Sequence, residues 1–154
     1  KYAGIMKDMG IKPELECFDP TSIEDVFGIL QPAGVLEGPV SLSFVMGMDR
    51  ISQGAISFSD ENLDFMIRKL PRDQFVNFST IAIGGKNQVP GMTMTVLKGG
   101  GARVGMEDNI YYGPGRLLKS NAEMVERAVR IIRELGLEVA SPDEAREILK
   151  IKKP

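Results

Sequence analysis

The sequence predicts an α/β fold made of four successive β/α units around a parallel sheet, and two observations carry that expectation. Strand-like and helix-like stretches alternate along the chain. No hairpin signal joins consecutive strand candidates, so each strand must return through a right-handed helical crossover. The size agrees, because 154 residues, 43% hydrophobic and 26% charged, suffice for one soluble unit with a real core, and residues 1–154 are read as a single domain. Four such units are half of an eight-stranded barrel. A small open doubly wound sheet is the alternative, although its usual phosphate-binding glycine fingerprint does not follow the first strand candidate.

Lys1 to Met9 places Tyr2, Ile5, Met6 and Met9 at helical spacing, with Gly10 as a C-terminal cap; it reads as the end of a helix that starts upstream. Pro13 to Asp19 is the first strand, with Glu14, Glu16 and Phe18 on one face and Leu15, Cys17 and Asp19 on the other. Asp19-Pro20-Thr21-Ser22 starts a helix through Ile23 to Leu30. Val40 to Met46 carries no charge and fits a strand buried on both faces. Gly47 to Phe58 is long and irregular for a connector and suits a mobile loop over a site.

Ser59 caps a helix from Asp60 to about Leu70, which Pro71 ends. Phe75 to Ile83 is the third strand. Gly84-Gly85-Lys86-Asn87 then turns into a helix from about Val89 to Leu97, and a tight turn there is favoured over a phosphate-binding loop. Gly99-Gly100-Gly101 releases the chain into a fourth strand, Ala102 to Glu107. Ile110 to Lys119 reads as a loop. Ser120 to Glu123 has capping-box form and opens a long helix with an apolar stripe from Met124 to Leu135. Ser141-Pro142-Asp143-Glu144 begins a last short helix, and the lysines from Lys150 to Lys153 form a solvated end.

Composition removes several classes of function. The net charge is −2 with bases dispersed among acids, which gives no support for a nucleic-acid partner. No apolar run approaches the roughly 20 residues of a membrane helix and no signal peptide is visible, so no membrane partner and a cytoplasmic protein are expected. There is no histidine, which excludes a self-contained Ser-His-Asp or Cys-His site; the single cysteine, Cys17, reads as a core residue.

The acids at strand ends are the chemical candidates. On a parallel barrel the site lies at the C-terminal ends of the strands, where Glu107, Asp108 and Asn109 follow the fourth strand candidate and Asp19 the first. Gly105, in the middle of that candidate, marks close approach by a ligand or by backbone. A regular strand would hold Arg103 about 13 Å from Glu107, so Arg103 is expected to find another partner. Glu14 or Glu16 would serve in an internal ion network.

Five stretches together resemble the beta-keto acid cleavage enzymes: Pro13 to Asp19, Gly85 to Pro90, Gly99 to Asn109, Ser120 to Glu123 and Val139 to Arg146. The resemblance runs in order over nearly the whole chain and implies the C-terminal half of a zinc-dependent TIM barrel. It implies that Glu107 is a metal ligand and that the other zinc ligands, a histidine pair, lie in an N-terminal half missing from this chain. Asp108 is then the base, supported by Arg103 and a glutamate of the first strand, of which Glu16 is favoured as nearer the strand's C-terminal end. The implied reaction is a retro-Claisen acyl exchange in which a beta-keto acid and acetyl-CoA give acetoacetate and a new acyl-CoA.

The sequence departs from the family at Gly99-Gly100-Gly101, where members often show Gly-Gly-His, and at Lys86-Asn87-Gln88, where they often show Arg-His-Gln. By itself the chain is expected to be inactive, and its open edges are expected to pair with the missing half or to drive self-association into a homo-oligomer. Another metal-dependent barrel lyase or aldolase acting on a keto acid is the nearest rival, and a non-catalytic structural half-barrel subunit the second.

Overall fold

The structure is a computed structural model that describes residues 1–48 and 54–151. Its centre is a three-stranded parallel sheet in the order β1 (Glu14–Cys17), β2 (Val40–Met46) and β3 (Val76–Ala82). Helix α1 (Tyr2–Asp8) precedes the sheet, and α2 (Pro20–Asp25), α3 (Asp60–Arg68) and α4 (Gln88–Leu97) follow the three strands in turn. After α4 come a short antiparallel hairpin of β4 (Tyr111–Gly113) and β5 (Arg116–Leu117), then α5 (Asn121–Glu134) and α6 (Pro142–Leu149).

The pleat gives the sheet two unlike faces. Val40, Leu42, Phe44 and Met46 of β2 point toward the helices and join Cys17, Val76, Phe78, Ile23, Val26, Leu63 and Met66 in the hydrophobic core. The Phe44 and Phe78 rings stack with centroids 5.6 Å apart. Full burial of each such side chain stabilises the fold by roughly 1.5–3 kcal/mol, so this layer is the main source of stability. Ser41 and Ser43 occupy the other face in register with Asn77 and Ser79 of β3 and with Glu14 and Glu16 of β1. There Ser43 Oγ donates to Glu14 and lies 2.9 Å from Ser79 Oγ. β2 is buried along its whole length, as its uncharged content predicts.

Side-chain caps explain the starts of α2, α3, α5 and α6. Asp19 accepts the Ser22 amide at 2.8 Å, Ser59 accepts that of Asn62 at 3.1 Å, and Ser141 with Glu144 forms a complete capping box. Asp19 is thereby engaged at a helix start rather than offered to the sheet end as a free acid.

The structure corrects the sequence reading at three places. The helix expected through Leu30 passes at Val26–Leu30 into a wider π-type turn, with Gln31 N bonded to Val26 O at 2.9 Å; Pro32 follows and has no N–H to continue an α-helical ladder. The loop expected from Ile110 to Lys119 contains the β4–β5 hairpin. The fourth strand, Ala102 to Glu107, is not a strand: a single bridge joins Ser79 to Gly101, after which the chain leaves the ladder. The loop expected at Gly47 to Phe58 lies partly outside the described residues. Where it is described, Ile56 bridges Met46 and its amide reaches Phe18 O at 2.9 Å.

Candidate functional site

The candidate site begins where the chain parts from the sheet. Gly101 N still donates to Phe78 O at 2.7 Å, which places the segment beside β3. Gly100 permits that approach, because a Cβ there would sit 2.6 Å from the side chains of Phe78 and Thr95. From Gly105 onward the holding groups change. The Gly105 carbonyl accepts from the Gln88 side-chain amide at 2.8 Å and from Asn109 N at 3.2 Å, and Met106 N donates to the Asn121 side chain at 2.7 Å. The chain therefore turns at Met106 to Asp108 instead of running on as a strand.

That turn overturns the expectation that Arg103 lies too far from Glu107. Arg103 Nη2 is 3.5 Å from Glu107 Oε2, and Arg103 Nε is 3.4 Å from Asp108 Oδ2. Both distances exceed the usual 2.7–2.9 Å of a charge-assisted hydrogen bond, so the guanidinium is poised between the two acids without being locked to either. The acids themselves differ. The side chain of Asp108 is 7% exposed and that of Glu107 is 86% exposed. Asp108 is held by its main chain as well, since its carbonyl accepts from Gly84 N at 2.9 Å. Gly84 lies two residues beyond the end of β3, so Asp108 sits at the C-terminal edge of the parallel sheet, the edge where parallel sheets bind ligands. The amides of Asn87 and Gln88 are bonded to Gly84 O, in keeping with the tight turn read from the sequence.

Of the two glutamates on β1, Glu14 lines a cavity of about 440 Å³ together with Ser79 and Arg103, closed by apolar side chains of α5 such as Val125 and Ile132. Glu16 is exposed and pairs in register with Ser43, two residues nearer the strand's C-terminal end. A second cavity of about 390 Å³ is lined by residues 103–108 and Asn121. The Cys17 thiol is fully buried, and burial followed by the nearby Asp19 charge pushes its pKa up to about 11, which makes it inert near neutral pH.

Among the described residues no three His, Cys, Asp or Glu side chains gather to hold an ion. Glu107 is the more open of the two acids at the turn, with its side chain 86% exposed. Gln88 and Asn121, which hold the turn, received no role in the sequence reading. Their signals were masked, because Gln88 follows a glycine turn and Asn121 follows a capping serine, and each reads first as part of a helix start.

The parallel sheet thus carries an arginine-flanked, buried carboxylate at its C-terminal edge. The chain belongs to the beta-keto acid cleavage enzyme family, whose model matches residues 1–151. It is 42% identical over 152 residues to a 3-keto-5-aminohexanoate cleavage enzyme from Acetoanaerobium sticklandii, covering 99% of this chain and 53% of the relative. It is 39% identical over 152 residues to the enzyme of the same name from Fusobacterium nucleatum, covering 99% and 52%. It is also 35% identical over 150 residues to a 3-dehydrocarnitine:acetyl-CoA trimethylamine transferase from Rhizobium meliloti, covering 96% and 46%. The chain thus spans about half the length of these curated relatives. Its fold matches the solved apo structure of ObcA with a TM-score of 0.79 at 16% identity, over 97% of this chain and 39% of that one. No helix among the described residues is long and apolar enough to cross a membrane.

Proposed function

We propose that this chain supplies the acid–base residues of an acetyl-CoA-dependent acyl exchange on a beta-keto acid. The observation that carries the reading is Asp108, a buried carboxylate 3.4 Å from Arg103 at the C-terminal edge of the sheet, within a segment covered by the family match. In the balanced reaction the bond between the keto carbon and the α-carbon breaks. The carboxymethyl fragment joins the acetyl group as acetoacetate, and the remaining acyl group leaves on CoA. Asp108 takes and returns the proton that moves in that exchange. Arg103 faces the same cavity and offsets negative charge as it develops on oxygen. A glutamate of β1, with Glu16 favoured over Glu14, supports Arg103 from the polar sheet face.

Glu107 is the ligand this chain offers to zinc, and polarisation of the substrate ketone is the chemistry a bound divalent cation supplies. The architecture that completes the site is an eight-stranded barrel, of which β1, β2, β3 and the Gly101 segment form one half. Its support is the span of about half the relatives' length. Residues 1–154 by themselves are then inactive.

The test is to incubate the protein carrying this chain with a panel of beta-keto acids, with and without acetyl-CoA, and to follow acetoacetate and acyl-CoA together. Formation of both products only when acetyl-CoA is present supports the reading. Cleavage that proceeds without a thioester identifies a lyase and contradicts it.

A further inference from the structure

The geometry points to Gln88 and Asn121 as positioning residues that fix where Arg103 and Asp108 stand. This rests on the proposed function above, and it names the groups that set that site. Three observations carry it. After Gly101 the segment lacks ladder pairing to β3, yet its two ends are bonded, Gly101 N to Phe78 O and Asp108 O to Gly84 N. What holds the turn from outside, apart from the Gly84 amide, is a pair of side-chain amides from two helices: Gln88 at the start of α4 donates to Gly105 O, and Asn121 at the start of α5 accepts from Met106 N. These bonds fall on consecutive residues, two positions before the catalytic carboxylate and two after the guanidinium, so a shift in either moves both groups.

The third observation is an energetic oddity. Gln88 is 1% exposed, and its Oε1 is the buried side-chain oxygen left without a hydrogen-bond partner among the described residues. An apolar side chain of the same length would fill the space with no orphaned acceptor. The amide orientation is fixed by its partner, since turning it over would set Oε1 against the Gly105 carbonyl. What Gln88 adds over an apolar residue is therefore its Nε2 bond to Gly105. Gly105 O keeps its bond from Asn109 N if Gln88 is replaced, so the fold loses little.

Two substitution series on the protein carrying this chain test the assignment. Gln88→Met should melt at or above the wild-type temperature yet turn over about tenfold more slowly with little change in KM, as expected when reacting groups are misplaced by a fraction of an ångström. Asn121→Ala should lose kcat likewise, and Asn121→Asp, which keeps the acceptor for Met106 N and suits the first turn of a helix, should restore most of the rate. Wild-type kcat in Gln88→Met or Asn121→Ala overturns the assignment, as does a loss that tracks lowered melting or that aspartate fails to rescue.

Amide hydrogen exchange separates this proposal from the functional one. Protection of the Met106 amide should fall about tenfold in Asn121→Ala and persist in Asn121→Asp. If the wild-type protein performs no acyl exchange, the functional reading fails and the exchange data decide: unchanged Met106 protection in Asn121→Ala then overturns the positioning assignment too.

Discussion

β3 and the segment from Gly101 to Asn109 lie side by side in one sheet-like layer, yet they are built differently. β3 pairs with β2 over seven consecutive residues, and alternate side chains enter a closed apolar core. Its neighbour makes one bridge, turns, and is held by side-chain amides and a single glycine amide. The first is a stability element, because its energy comes from burial that one substitution dents but does not redirect. The second holds the groups to which the chemistry is proposed, because a turn brings Glu107 and Asp108 each within 3.5 Å of Arg103 where a straight strand would spread them apart. The division predicts that substitutions in the ladder act on folding and that those in the turn act on rate.

The ladder gives the largest expected effect. Phe44→Ala, which removes one ring of the Phe44–Phe78 stack from a fully buried site, should destabilise the fold by about 3–5 kcal/mol in chemical unfolding, with KM of the folded fraction unchanged. On the other side of the comparison, Arg103→Met should reduce kcat about 10²-fold while the unfolding midpoint stays close to wild type. An unfolding loss as large as that of Phe44→Ala would place Arg103 among the stability elements. Glu16→Gln should impair activity more than it lowers thermal stability, by about tenfold in kcat/KM, as for a group that acts through a neighbour. The same change at Glu14, which lines the Arg103 cavity and accepts from Ser43, shows which of the two supports the arginine.

Smaller effects probe the edges and the core. Light scattering on the isolated chain should report self-association, since Tyr2, Phe75 and Leu97 are 78%, 60% and 63% exposed and the sheet has open edges; a stable monomer contradicts the proposal of a complementary half. Cys17 should resist alkylation in the folded protein near pH 8. Its folded thiol pKa is raised from 9.0 to about 11, so the unfolded thiol ionises first and this residue's contribution to stability is lost as pH rises through that interval.

Much of this was legible in the sequence for a physical reason. β2 and β3 announce themselves because burial imposes a strong pattern on them, and the predicted bounds of β2 are those observed. Serine caps and the proline after α3 fixed most helix ends. The segment after Gly101 misled for the opposite reason. Its Ala-Arg-Val-Gly-Met alternation has the period of a strand, but the bonds that bend it come from Gln88 and Asn121, 17 residues earlier and 15 later. Period-two alternation records local preference and is blind to such long-range partners. The unequal burial of Glu107 and Asp108 was hidden likewise, since neighbouring acids look alike until the turn directs one inward.

The most direct test of the account separates those two acids in the complete protein by measuring bound zinc and kcat for each substitution. Asp108→Asn should keep its zinc and lose turnover by about 10²–10⁴-fold, whereas Glu107→Gln should lose zinc and turnover together. Full turnover in Asp108→Asn, or undiminished zinc in Glu107→Gln, would contradict the division of labour proposed for this site.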